Sequence, residues 1–134
     1  MAIVGVWATP RRLVAVFVDD HGKASPPILI ERTDDARWGL LVRLEAEYGL
    51  DWELAISHDL LTGDALAGLA ARRGIVIWVA PRSLVEAIRH AAGIVTGPTR
   101  RLAAMIARLP LCAGLRPHLR RVAPETDRRQ LSLW

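Results

Sequence analysis

The spacing of the hydrophobic residues changes once along this chain, at Thr33, and that change limits the folds open to it. Before it, the apolar residues come in short runs. Ala2 to Ala8 reads as a buried strand, Thr9-Pro10-Arg11 as a turn, and Arg12 to Asp19 as a second strand carrying Leu13, Val14, Val16, Phe17 and Val18. Asp19-Asp20-His21-Gly22 has the polar and glycine content of a hairpin loop. Ile28 to Arg32 reads as a third strand, and its entry through Pro26-Pro27 suits a sheet edge, because proline cannot donate to a ladder. Three short strands joined by tight turns predict an antiparallel meander.

After Thr33 the period is helical. Thr33 or Asp34 is placed to cap a helix running to about Tyr48, with Trp38, Leu41, Leu44 and Tyr48 near one face and Gly49 at its end. Trp52 to Ser57 reads as a strand. Thr62 is placed to cap a helix with Leu66, Leu69 and Ala70 inward, stopped by Gly74. Ile75 to Ala80 is a continuous apolar run, as in a strand covered on both faces. Pro81 suits the first position of a helix over Arg82 to Ala92 that Gly93 ends. Gly97-Pro98 breaks the chain, and Thr99 is placed to cap a helix to about Leu109. Beyond Pro110, Pro117 and Pro124 leave room for one short helix at most. The expected order is β-β-β-α-β-α-β-α with a further helix. That is an α/β chain in the order of the ribonuclease H-like fold, with helices on both faces of the sheet.

A chain of 134 residues with 51% hydrophobic content can build one sizeable core. No run of 18 apolar residues occurs, so no membrane-spanning helix is expected. The first residues lack the basic region of a signal peptide, and the single cysteine, Cys112, has no partner for a disulfide; both point to the cytoplasm. Cys112, between Leu111 and Ala113, reads as a small buried or half-buried hydrophobe.

The net charge of +4 is unevenly spread. Residues 1–86 carry 9 basic and 12 acidic side chains, whereas 87–124 carry seven arginines and no acid. Those arginines are Arg89, Arg100, Arg101, Arg108, Arg116, Arg120 and Arg121, with His90 and His118 among them. Such a block is either an electrostatic footprint for nucleic acid or a solvated helical face, depending on whether the side chains share one side.

Signals for chemistry are sparse. There is no glycine-rich phosphate loop, no Cys/His cluster at zinc spacing and no Gly-x-Ser-x-Gly. His21, His58, His90 and His118 are scattered, and neither a cofactor nor a metal is expected. Over Ala2 to about Leu109 the pattern resembles the N-terminal RuvC-like domain of the DEDD insertion-sequence transposases. Val4-Gly5-Val6-Trp7 stands where that family opens with Val-Gly-Ile-Asp. Asp20-His21-Gly22 occupies its loop. Leu54 to Ser57, Gly74, Val79-Ala80-Pro81 and Thr96 to Ala103 follow at matching spacings. The resemblance implies the ribonuclease H-like fold. It also implies where the catalytic acids would stand, and none is there: Trp7, Ser57, Thr99 and Leu102 occupy the four positions. Two-metal phosphodiester chemistry needs charged oxygen ligands to hold its cations, and these side chains offer two neutral hydroxyls at most. Catalytic residues are therefore expected to be absent. The alternative, an active metal-dependent nuclease or recombinase, would have to use displaced acids: Asp59 with His58, Asp64, or Asp19-Asp20. Trp38, Trp52 and Trp78 read as core packing. Trp7 reads as filling the space of the absent metals, or as a platform for a base.

The last residues carry a different signal. Residues 123–129 have almost no apolar content and read as a solvated tether. They lead to Gln130, Leu131, Ser132, Leu133 and Trp134, an apolar cluster of the kind that marks a binding surface. The pentapeptide resembles the motif by which bacterial proteins bind the DNA polymerase III sliding clamp, its β subunit. That resemblance implies Gln130 in a polar subsite and Leu133 and Trp134 in an apolar pocket, with Leu131 beside them. The same residues also alternate like a strand, which would pair with an edge of their own sheet or bury Trp134 against their own domain.

These readings together predict a ribonuclease H-like domain over residues 1–109, a basic extension over 110–122 and a flexible tail over 123–134. The function they imply is that of a non-catalytic adaptor on the sliding clamp, in replication or repair, encoded on a mobile genetic element. DNA is a candidate second partner through the 87–124 stretch. A homodimer through the sheet edge stays open, and no membrane partner is expected.

Overall fold

The computed structural model describes residues 2–93 and 99–122. Local hydrogen bonds set up the first three strands. The Thr9 hydroxyl oxygen accepts from the Arg12 amide at 3.0 Å, and the Thr9 amide donates to the Arg12 carbonyl at 2.8 Å. This tight turn joins β1 (Ala2–Ala8) to β2 (Arg12–Val18). At the other end of β2, Asp19 Oδ1 accepts from the amides of His21 and Lys23, both at 2.9 Å, and Gly22 takes φ 80°, a conformation costly for other residues. The chain then returns as β3 (Ile28–Glu31), antiparallel to β2 and at the edge.

α1 (Asp34–Tyr48) starts where Thr33 accepts from the Ala36 amide, and its first turn holds Asp34 and Asp35, which suit the positive end of the helix dipole. Gly49, at φ 62°, ends it. The inward face is Arg37, Leu40, Leu41 and Leu44, with Tyr48 packed against the core; Leu41, Leu44 and Tyr48 of the expected stripe face inward, but Trp38 is 49% exposed. Trp38 is therefore not core packing; the Arg73 guanidinium lies 4.7 Å from its ring centroid. Arg37 takes the inward place because its charge is neutralised there by partners distant in sequence.

β4 (Trp52–Ser57) runs straight into α2 (His58–Gly63), capped by Ser57, whose hydroxyl oxygen accepts from the Leu60 amide. Thr62 thus lies inside a helix rather than capping one. α3 (Leu66–Arg72), β5 (Ile77–Ala80), α4 (Arg82–Ala91) and α5 (Thr99–Arg108) follow. Pro81 is the N-cap of α4. Residues 110–122, expected to hold one short helix at most, form two single 3₁₀ turns and a sixth strand, β6 (Arg120–Val122), antiparallel to β5. Cys112 is exposed, not the buried hydrophobe expected.

The sheet is mixed, in the order β3-β2-β1-β4-β5-β6, with β1, β4 and β5 parallel. Both faces of its centre are covered, which is why the β1 and β2 runs are continuously apolar. Ala2, Val4, Val6, Ala15 and Phe17 meet α1 and α3 on one side. Ile3, Val14, Val16 and Ala55 meet Ala103, Ala104, Ile106 and Ala107 of α5 on the other. Leu109, Leu115 and Leu119 close a smaller cluster with Ala80 and Val85, so residues 110–122 share the core of what precedes them.

α5 seats directly on bare backbone at Gly5. A Cβ there would overlap the Ala103 carbonyl oxygen and lie 2.7 Å from the Ala107 Cβ. Gly5→Ala is expected to destabilise the protein by about 1–3 kcal/mol through overpacking, and Gly5→Val by more. Urea unfolding checks this; a loss below about 0.5 kcal/mol, the scale of an ordinary surface substitution, would mean that α5 does not seat on Gly5.

Candidate functional site

The carboxyl ends of β1 and β4 lie side by side, since Val6 pairs with Ile56 and Trp7 and Ser57 come next on each strand. Both residues point to the α5 face by strand alternation. Trp7 is half-buried and packs against two apolar clusters, one under α5 and one under α4. The Arg89 guanidinium of α4 stands 6.0 Å from the Trp7 ring centroid. Ser57 is 7% exposed, and its hydroxyl is committed to capping α2. Leu102 is buried in α5. Thr99 opens the same helix.

These side chains do not fit a two-cation centre. An indole and an isobutyl group carry no ligand atoms for a hard cation, and the Ser57 oxygen already accepts an amide. Among the described residues, no group of three or more His, Cys, Asp or Glu side chains stands where it could hold a metal ion.

The displaced acids are engaged elsewhere or lie apart. Asp59, in the first turn of α2, is exposed and pairs with Arg82 at 2.7 Å. Asp19 and Asp20 follow Val18, which pairs with Ile3 at the amino end of β1, the opposite end of the sheet from Ser57. Asp64 stands at the centre of a buried polar network. Its side chain is fully buried. Oδ2 accepts from Arg37 Nε and from the Leu66 amide, each at 2.9 Å. Oδ1 accepts from a terminal Arg37 nitrogen at 2.9 Å and from Arg32 Nε at 3.1 Å. Arg32 also donates to the carbonyls of Thr9 and Gly63, both at 3.0 Å, and Arg37 to Asp34 at 3.1 Å. Burial pushes the Asp64 carboxyl up, but the hydrogen bonds from Arg37, the Leu66 amide and Arg32 outweigh it and hold the group below the ordinary carboxylate range. The bond to Asp64 likewise raises Arg37 above its ordinary value. The network ties the β1–β2 turn, the start of α1 and the α2–α3 junction together. Sequence reasoning saw Asp64 only as an isolated acid and missed both arginines.

No protein-family model matches this chain, and no curated protein matches it.

The basic residues do not gather at one point. Arg108 donates to the Gly22 carbonyl at 3.1 Å. The Arg116 guanidinium stands 5.9 Å from the Trp78 centroid, and its Nε donates to the Pro110 carbonyl at 2.7 Å. Arg121 pairs with Trp78 in register, while Arg120, next to it on β6, projects to the other face. Arg100 and Arg101 are exposed on α5. Trp78 is half-buried and donates its indole N–H to Glu53 at 2.8 Å, whereas Trp52 lies in the core at 3% exposure. Gln130, Leu131, Ser132, Leu133 and Trp134 lie outside the described residues. No described helix is long and apolar enough to cross a membrane.

Proposed function

We propose that this chain is a ribonuclease H-like domain that has lost its metal-holding acids and acts as an adaptor on the bacterial sliding clamp, bound through Gln130 to Trp134. The observation that carries the reading is the match at all five positions of the clamp-binding peptide, after a polar stretch. The fold assignment draws support from the strand order β3-β2-β1-β4-β5, with the meander antiparallel and β1, β4 and β5 parallel. The absence of catalysis draws support from Trp7, Ser57 and Leu102, each used in packing or capping where a carboxylate would be needed. The test is surface plasmon resonance on purified clamp with the full chain and with a copy truncated after Arg129. The full chain is expected to bind and the truncated copy to fail. Equal binding by both would overturn the reading.

A second partner, DNA, is favoured by the exposed Arg100, Arg101 and Arg121 and by the lack of any acid over 87–124, with Arg120, on the opposite face of β6, outside that contact. A domain held on a clamp sits beside duplex DNA, and phosphate contacts would add affinity without sequence preference. A labelled duplex titrated at two salt concentrations in Mg²⁺ is expected to bind more weakly at high salt, with a log–log slope of about −0.9 per phosphate contacted, and to remain uncut. Absence of binding at low salt would reduce these arginines to a solvated surface. Cleavage lost on Asp59→Asn would restore the nuclease reading.

A further inference from the structure

α1 is apolar on two sides. Leu40, Leu41 and Leu44 face the core, yet Trp38, Gly39, Val42 and Ala46 stand exposed on the other side. Trp38, Val42 and Ala46 follow the four-residue spacing of a single helix face. A surface helix ordinarily turns a polar side to water, and one that is apolar all round is normally covered. Leu50 comes just past the Gly49 stop. Trp38, Val42 and Leu50 are 49%, 47% and 68% exposed, three of the five large exposed hydrophobics among the described residues. Grouping of this kind marks an interaction surface, whereas scattered single residues do not.

Two details prepare the face for a partner. The Arg73 guanidinium stands 4.7 Å from the Trp38 ring centroid and is itself paired with Glu45, which holds the ring in place. An aromatic fixed beforehand loses less freedom on binding. Gly39 has no use within one copy: a Cβ there would meet nothing within 4 Å, and glycine weakens a helix interior. Bare backbone at that place allows a second helix to come close.

The charges around the face select the partner. Arg43 and Arg73 are mixed there with Asp35, Glu45 and Glu47, so no single-sign field exists to draw a nucleic acid or a strongly charged protein. Arg43 and Glu47 form an exposed pair at 3.5 Å on one flank of α1, a contact free to exchange between copies. The sheet edge competes poorly for self-association, because β3 is four residues long and is entered through Pro26-Pro27.

We propose that α1 packs antiparallel against α1 of a second copy of this chain, forming a homodimer. A two-fold axis across α1 brings the same flank of both helices together. With the axis level with Leu44, Val42 lies opposite Ala46 of the second copy, large against small. Trp38 then lies opposite its Leu50, and Arg43 beside its Glu47. The proposal stands apart from the clamp reading, since none of these residues belongs to the tail.

Sedimentation equilibrium of the full chain tests it. The interface falls at the small end for specific complexes, so a dissociation constant on the order of tens of micromolar is expected. Loading from about 5 to 500 µM then spans monomer to dimer. Val42→Glu, which sets an unpaired charge in the apolar stripe of both copies, should weaken dimerisation by about tenfold or more. Thermal unfolding of this variant should match the parent, because the side chain is 47% exposed in one copy. Arg43→Glu should also weaken dimerisation by setting acid against Glu47 of the second copy, and adding Glu47→Arg should restore it. This charge exchange keeps the test valid if Val42→Glu unfolds. A chain that stays monomeric throughout, a dimer undiminished by Val42→Glu, or a charge exchange that fails to restore dimerisation would each overturn the proposal.

Discussion

Replacing Leu133 and Trp134 together by alanine is expected to abolish binding to purified clamp while leaving the fold intact. Each anchor buries a large apolar side chain worth about 1.5–3 kcal/mol, and a large aromatic in a pocket is the usual form of a hot spot. A single extended peptide also loses ordering entropy on binding, so the parent affinity should be near micromolar, about −8 kcal/mol. Removing both anchors subtracts about 3–6 kcal/mol of that, which leaves a dissociation constant of about 0.2 mM or weaker, beyond what micromolar clamp detects. Gln130→Ala should weaken binding less, if its polar subsite keeps water. The cores of the described residues close among themselves, so thermal unfolding of the double variant should match the parent. Unchanged binding would sink the clamp reading. An unfolded double variant would instead assign Trp134 to the domain's own core. A dimeric clamp could hold two copies and gain avidity, which a monomeric clamp variant would remove.

Asp64→Asn is expected to be the most damaging conservative substitution in the folded domain. The change keeps the shape but leaves the Arg37 and Arg32 guanidiniums, 10% and 24% exposed, without their shared counter-charge. Breaking one side of a buried ion pair typically costs about 3–5 kcal/mol. A domain of this size has only about 5–15 kcal/mol in all, so the variant should be marginal at 37 °C. The sign of the pH dependence follows from the direction of the Asp64 shift. Its carboxyl lies below the ordinary value in the folded state. The stabilisation is therefore complete above the unfolded-state value near 4 and is lost as pH falls through the lower folded value. Urea unfolding from pH 7 down to pH 2 should show this acid limb in the parent and a shallower one in Asp64→Asn. A cost below about 1 kcal/mol at pH 7, the range of an exposed ion pair, would show that the network is not needed for the fold. Replacing Arg37 and Asp64 together by apolar residues of similar volume should cost less than Asp64→Asn alone, because no charge is then left stranded.

The elements legible in the sequence are those set by contacts a few residues apart. The turn at Thr9, the Asp19 loop, the Thr33 cap and the Gly49 stop each rest on hydrogen bonds spanning four residues or fewer, and each was readable from residue type alone. The apolar runs of β1 and β2 likewise announced strands, and that of Ile75 to Ala80 a strand covered on both faces. Tertiary structure decided the rest. Whether Arg37 turned inward depended on Asp64, 27 residues away, and no hydropathy pattern counts a charge as core. With Arg37 inward, Trp38, next to it on α1, was left outside. β6 is three residues of Arg-Arg-Val, too short and polar to read as a strand, and it exists because β5 offered an unpaired edge. Gly5 could be read as part of a family pattern, but its reason appeared only when α5 was laid against it. At the candidate site, sequence alone named the missing carboxylates, because a residue type either carries ligand atoms or does not. The Ser57 cap on the Leu60 amide spans only three residues and was missed because the helix start was read at Thr62. That Asp64 gathers Arg32 and Arg37 from 32 and 27 residues away depended on how distant segments pack, because one-dimensional spacing carries no distance between them.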